Sequence, residues 1–160
     1  MVILTEITLI HAPLERCFDL SRSIDLHKTS TARTGEQAIA GVTSGLIDLG
    51  EEVTWRARHL GVWQEMTSRI TAFNRPAYFQ DTMVRGAFRS FQHDHSFAQR
   101  SDGLTEMRDV LRFAAPLFIL GRLAEIPLKP YLRRFLQERN ALLKQTAESD
   151  RWRSFLTPNS

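Results

Sequence analysis

Phe91-Gln-His93-Asp-His95-Ser-Phe97-Ala-Gln-Arg-Ser101-Asp-Gly103-Leu-Thr105-Glu-Met107-Arg-Asp109-Val-Leu111-Arg-Phe113 is the stretch on which the reading of this chain turns. Two alternating runs flank a short Ser-Asp-Gly, and a β-strand sends successive side chains to opposite faces. On the first run Phe91, His93, His95 and Phe97 share a face. On the second, Thr105, Met107, Asp109, Leu111 and Phe113 share one, while Glu106, Arg108 and Arg112 charge the other, so the odd-numbered face is the buried one. A three-residue hairpin loop with Gly103 in the left-handed conformation sets Arg100 against Leu104. His95 then faces Asp109, His93 faces Leu111 and Phe91 faces Phe113. Such pairs bring Cβ atoms to about 4.5–5.5 Å, within reach of an imidazole–carboxylate hydrogen bond. The tight turn around Gly86 brings Phe79 and Asp81 beside the same histidines. The expectation is two histidines bracketed by two acids, Asp81 and Asp109, inside an apolar concave face.

Outward from this hairpin, Thr, Val, Trp, Phe and Ile dominate, with turn-like clusters between the runs. Five consecutive strands are expected at 53–60, 63–73, 78–84, 88–99 and 104–114. Their short connections join only antiparallel neighbours, so they form a meander. Pro116 opens a helical phase, first 117–125 and then, after Pro127, a long run over 128–147. There Leu128, Tyr131, Leu132, Phe135, Leu136, Leu142, Leu143 and Thr146 form one stripe. A helix of that length needs a broad apolar partner, and the inner face of the meander is the one available.

Before the meander, residues 1–10 read as a first strand rather than a signal peptide, because no basic segment leads them and Glu6 interrupts the apolar run. Pro13 reads as the first helical position of a short amphipathic helix carrying Leu14, Cys17, Phe18 and Ser21 on one stripe, with a further turn or two at 24–27. Residues 28–36 are polar and read as a loop, 37–40 as a weak strand, and 41–50, with three glycines, as an irregular element. The order defines an α+β fold: a curved antiparallel β-sheet wrapped around a long C-terminal α-helix, with two short helices after strand 1. Residues 1–148 form one domain and 149–160 a tail that frays from about Arg151, unless Trp152 and Phe155 dock.

At 160 residues the chain suits one domain burying roughly 70% of its unfolded surface, so its core requires neither disulfides nor metal. The absence of a long apolar run argues against membrane insertion. A single cysteine, Cys17, removes any disulfide framework and fits a reducing, cytoplasmic setting. Net charge is +3, and the basic excess lies in 122–153, with eight Lys/Arg against four Asp/Glu. That surplus reads as a solvated helix face, because no aromatic or glycine motif of a nucleic-acid module accompanies it.

The His–Asp cluster fits three roles. It is a satisfied polar network that pins strand register, or the polar end of a pocket for a mostly apolar ligand, or, third, an acid/base or metal centre. For the third role a further His or Cys ligand and a nucleophile are both missing, since Ser96 points to the opposite face and Ser101 lies in the turn. Trp55 and Trp63 are candidates for the same cavity, with plain core the commoner role of buried tryptophan. Gly41, Gly45 and Gly50 make no phosphate-binding loop. His11, His27 and His59 stand isolated.

The segments Gly45-Leu-Ile-Asp-Leu-Gly-Glu-Glu-Val-Thr-Trp55, Phe79-Gln-Asp81, Gly86-Ala-Phe88 through Phe97 and Thr105-Glu-Met-Arg-Asp109-Val resemble the START-like or Bet v 1-like (SRPBCC) superfamily. Within it they look like the small bacterial branch labelled polyketide cyclase/dehydrase-like, alongside coenzyme Q-binding domains. The resemblance spans about residues 2–147. It implies a helix-grip fold with a cavity between sheet and long helix, and carries over no catalytic set. The expected function is binding of a small hydrophobic or amphipathic ligand (lipid, polyketide or quinone-like). Asp81, His93, His95 and Asp109 would form the polar end, and Trp55, Phe79, Met83, Phe91, Phe97, Met107, Leu111 and Phe113 the walls. Residues 117–123 are a candidate lid. No metal and no cofactor is assigned. The alternatives are a cyclase/dehydrase-type enzyme using His95 and Asp109, and a regulatory protein that engages RNA or the ribosome through Arg133 and Arg134 on the basic helix, as ribosome-associated toxins of the superfamily suggest.

Overall fold

The hairpin expected from Gly103 is present, and it sets the register of the sheet around it. Gly103 has φ +85°, its N–H donates to Arg100 O at 3.1 Å, and Arg100 N–H donates to Leu104 O at 2.8 Å. The computed structural model describes residues 1–116 and 118–156, with only the backbone for 118–122 and 124. The strands are β1 (Val2–Ile10), β2 (Gln37–Gly41), β3 (Glu52–His59), β4 (Val62–Asn74), β5 (Tyr78–Arg85), β6 (Ser90–Gln99) and β7 (Thr105–Ala114). They form one antiparallel sheet in the order β1-β7-β6-β5-β4-β3-β2. The meander β3 to β7 is consecutive, and β1 closes against β7 with Val2 opposite Phe113. β4 bulges against β5 between Thr67 and Ser68 and between Ile70 and Ala72, and such bulges bend a sheet. Gly41, at φ +74°, is required where β2 meets β3, because a Cβ there would lie 2.1 Å from Glu52 O.

Two helices follow β1: α1 (Leu14–Ser21), and α2 (Ile24–Ser30), which Ser23 caps by accepting from Leu26 N–H. The expected loop 28–36 is partly helical: α2 runs on to Ser30 and a 3-10 turn spans Ala32–Thr34. The hydroxyls of Thr31 and Thr34 donate to the carbonyls of His27 and Thr31, each at 2.9 Å, and so tie down carbonyls at and just past the helix end.

The long helix α3 runs unbroken over Phe118–Ala147, with Pro127 and Pro130 inside it. The break expected at Pro127 does not occur. Both prolines are exposed, as are Leu123 and Ile126, so the carbonyls that lose a hydrogen-bond donor lie on a stretch open to water. The candidate lid, 117–123, lies outside the described residues in its side chains, Leu123 apart. Past α3, a 3-10 turn (Asp150–Trp152) and α4 (Arg153–Leu156) return to the body: Trp152, Phe155 and Leu156 pack on the core, and the Arg16 guanidinium sits 4.4 Å from the Trp152 ring centre.

Among the described residues the core has two apolar clusters. One is built around Phe18 of α1, which meets Phe73, Phe79 and Phe97 edge-on, each with ring centres 5.4 Å apart. The other joins Leu4, Leu111, Phe113 and Leu132. Along β6 and β7 the histidines and Asp109 lie between the two.

Candidate functional site

A cavity of about 190 Å³ opens between the sheet and α3. Trp55, Phe79, Phe91 and Leu111 line it from the sheet, Leu132 and Leu136 from α3. Its polar lining includes Asp81, His93 and His95, placed by register: His95 pairs with both Phe79 and Asp109, and His93 with both Asp81 and Leu111.

The four side chains are closely interlocked. His95 Nε2 bonds Asp81 Oδ2 at 3.1 Å. His95 Nδ1 and His93 Nε2 approach a single oxygen, Asp109 Oδ1, at 2.7 and 3.0 Å. Neither approach is aligned as a hydrogen bond, so these three buried atoms are held by charge and proximity without a directed partner among the described residues. The imidazoles lie with ring centres 3.8 Å apart, and the His95 ring stacks on Phe79 at 4.2 Å.

Beneath the cluster α3 supplies two groups that reading the sequence missed. Asn140 Nδ2 donates to Asp109 Oδ2 at 2.7 Å. Arg139 donates to Asn140 Oδ1 and to Ser21 O at 3.0 and 3.1 Å, and lies 3.7 Å from Asp109 Oδ1. Both are buried. Positions 139 and 140 fall three and four residues after Leu136, on the stripe itself, so a stripe counted by apolar residues alone passes over them.

Desolvation penalises every charge here, and the partners decide the outcome. At Asp109 it favours the neutral acid, yet the histidines outweigh it and hold the carboxyl well below its usual range. At Asp81 it is likewise overcome, by the His95 hydrogen bond and the charges of both histidines. His93 is pushed down by burial and then by the charge of His95. Burial would also lower His95, but its contacts with Asp109 and Asp81 raise it. The two carboxylates favour the protonated form of His95, and the Arg139 guanidinium adds a positive charge 3.7 Å from Asp109 Oδ1.

Not every expected wall residue reaches the cavity. Asp109 is fully buried behind the histidines, and Phe97, Met107 and Phe113 pack into the core instead. Met83 lies on β5 outside the lining, and Trp63 is exposed, with the Arg56 guanidinium 5.2 Å from its ring centre. Conversely, two histidines read as isolated do line the cavity. His27 Nε2 lies 3.2 Å from Glu36 Oε2 and its ring 4.3 Å from that of Trp55, while His59 Nδ1 and the Tyr131 hydroxyl are 2.8 Å apart. Helix α2, the residue before β2, strand β3 and α3 bring these groups to one cavity. Ser68 Oγ, buried among the lining residues, has no hydrogen-bond partner among the described residues.

The cations named on α3 are engaged: Arg133 pairs with Glu6 at 3.1 Å, and Arg134 with Glu138 at 2.8 Å. Among the described residues, no helix is long and apolar enough to cross a membrane.

A curved antiparallel sheet gripping a C-terminal helix, with a cavity between them, defines the helix-grip class. The chain has the fold of START and Bet v 1-like proteins. It is similar to TTHA0849 from Thermus thermophilus, with TM-score 0.74 at 13% identity over 91% of this chain and 97% of that one. A START superfamily protein from Mycobacterium smegmatis aligns with TM-score 0.65 at 10% identity over 91% and 97%. Major latex-like protein 151 from Panax ginseng aligns with TM-score 0.64 at 13% identity over 92% and 98%. No protein-family model and no curated protein matches the sequence.

Proposed function

We propose that this protein binds a small amphipathic molecule, lipid-, polyketide- or quinone-like, with its apolar body between the sheet and α3 and its polar end against Asp81, His93 and His95. The observation that carries this reading is the cavity: apolar walls with a few polar groups gathered on the sheet side, the usual construction of a small-molecule pocket. Helix-grip neighbours that include a START superfamily protein support the class. Asp109, sealed from the cavity, acts through the histidines, which favours binding over a cyclase/dehydrase-type reaction that uses Asp109 directly. The pairing of Arg133 and Arg134 with acids likewise favours a small ligand over RNA or the ribosome. The lone buried thiol of Cys17 suits a reducing compartment such as the cytoplasm.

Native mass spectrometry of freshly purified protein, with extraction and identification of what it carries, tests the reading. A stoichiometric hydrophobic adduct is expected, and Ala57→Leu, which adds volume to the lining, should displace it while leaving the melting temperature within a few degrees of wild type. A bare mass, together with no uptake of a panel of fatty acids, quinones and aromatic polyketides, overturns it.

A further inference from the structure

We infer that Asp81 Oδ2, His93 Nδ1 and His95 Nε2 form a three-ligand site for a divalent cation of the zinc class, with its open position towards the cavity. This rests on the donor geometry and the local charge, and stands whether or not an organic ligand binds.

The donor set is two imidazoles and one carboxylate, whose ligand atoms all lie within 4.8 Å of one another. Asp81 Oδ2 is 3.1 Å from His95 Nε2 and 4.0 Å from His93 Nδ1. Tetrahedral zinc with bonds of 2.0–2.1 Å holds its ligand atoms about 3.3 Å apart. The Asp81–His95 spacing is already close to that value, the Asp81–His93 one needs a closure of under about 1 Å, and the His93–His95 pair, within 4.8 Å, one of at most about 1.5 Å. Asp81 keeps a fifth of its side-chain surface open whereas His95 is nearly sealed, so a cation would enter past the carboxylate.

The far nitrogens of both rings supply a second, independent argument. Histidine ligands of a metal almost always donate their other N–H to a carboxylate or carbonyl, which fixes tautomer and ring orientation. Here His95 Nδ1 and His93 Nε2 converge on Asp109 Oδ1 from opposite ring positions, and Asn140 braces the other oxygen. These contacts are misaligned as hydrogen bonds, and the three atoms lack directed partners among the described residues. A small rotation of each ring towards Asp81, as ligation demands, would re-aim both N–H groups. Charge fits too. With neutral histidines, Asp81, Asp109 and Arg139 sum to one negative charge. A dication would leave one positive charge, which an anionic oxygen from the cavity (carboxylate, phenolate, enolate or hydroxide) would neutralise at the open position.

The test uses full-length protein stripped with a chelator and titrated with Co²⁺ by visible spectroscopy and with Zn²⁺ by calorimetry. One equivalent should bind, with Co²⁺ giving the intense visible absorption of a four-coordinate centre. Asp81→Asn and His95→Gln should weaken binding at least about tenfold, as should Asp109→Asn through the ring N–H groups. Imidazole ¹⁵N spectra of the wild-type protein decide the matter independently of how the variants fold. Zn²⁺ should move Nδ1 of His93 and Nε2 of His95, the nitrogens facing Asp81. No stoichiometric binding, binding unchanged in Asp81→Asn, or shifts confined to His11, His27 and His59 would each overturn the site.

Discussion

His95 and Asp109 stand directly opposite each other on β6 and β7, with Nδ1 2.7 Å from Oδ1, and this one cross-strand pair ties the cavity floor to the buried polar layer beneath it. Because Asp109 also serves His93, Asn140 and Arg139, removing its charge strands several groups at once. Asp109→Asn is expected to cost about 3–5 kcal/mol, the range for breaking a buried ion pair on one side. Urea denaturation reads this directly, and a loss under about 1 kcal/mol would mean that Asp109 does not hold these groups together.

Gly103 holds the hairpin that sets this register. An alanine there would have to adopt the same left-handed backbone, although the space around it is open. Gly103→Ala should therefore cost about 1–2 kcal/mol from backbone strain alone. An unchanged melting temperature would show that the loop has an alternative geometry.

Acid should expose the contribution of Asp19. Burial disfavours its charge, but Arg75 and Arg22, at 2.7 and 2.9 Å, prevail and lower its folded-state pKa. A lowered folded-state value gives stability that is fully present above the unfolded pKa of about 3.9 and is lost as pH falls through the folded one. The stability gap between wild type and Asp19→Asn should be flat at neutral pH and close below about pH 4. A gap that does not begin to narrow as pH falls below about 4 would count against this assignment.

Cys17 provides a probe of the α1 seat. Burial pushes its thiol up to about 11, and the residue is fully enclosed. Native protein at about pH 8 should resist iodoacetamide, and modification should follow global unfolding. Rapid labelling of the folded protein would place α1 away from the sheet.

How much of this was legible in the sequence divides along a physical line. Period two in 91–113 and one turn glycine located His93, His95 and Asp109, because strand geometry is local and side-chain direction follows from parity. Asp81 followed from one further hairpin. Arg139 and Asn140 did not, since helical periodicity reports which positions face inward, and a count restricted to apolar residues discards polar ones on the same stripe. His27, Glu36, His59 and Tyr131 meet only through tertiary packing, which no spacing encodes. The continuity of α3 through Pro127 and Pro130 was missed for a related reason: a proline's cost depends on whether the carbonyl it strands can reach water.

The seating of β1 beside β7 also governs how the chain comes to be folded. Val2–Ile10 finds its partner only when Thr105–Ala114 exists, so about a hundred residues must be synthesised in between, and at roughly 5–20 residues per second this strand waits about 5–20 s with its edges unpaired. Contacts so far apart in sequence slow folding, and Ile3 and Ile7 remain open to solvent even in the finished sheet. The nascent chain is thus most prone to aggregate just before β7 leaves the ribosome, and the last strand of the meander covers one edge of β1 while the other remains an edge of the finished sheet.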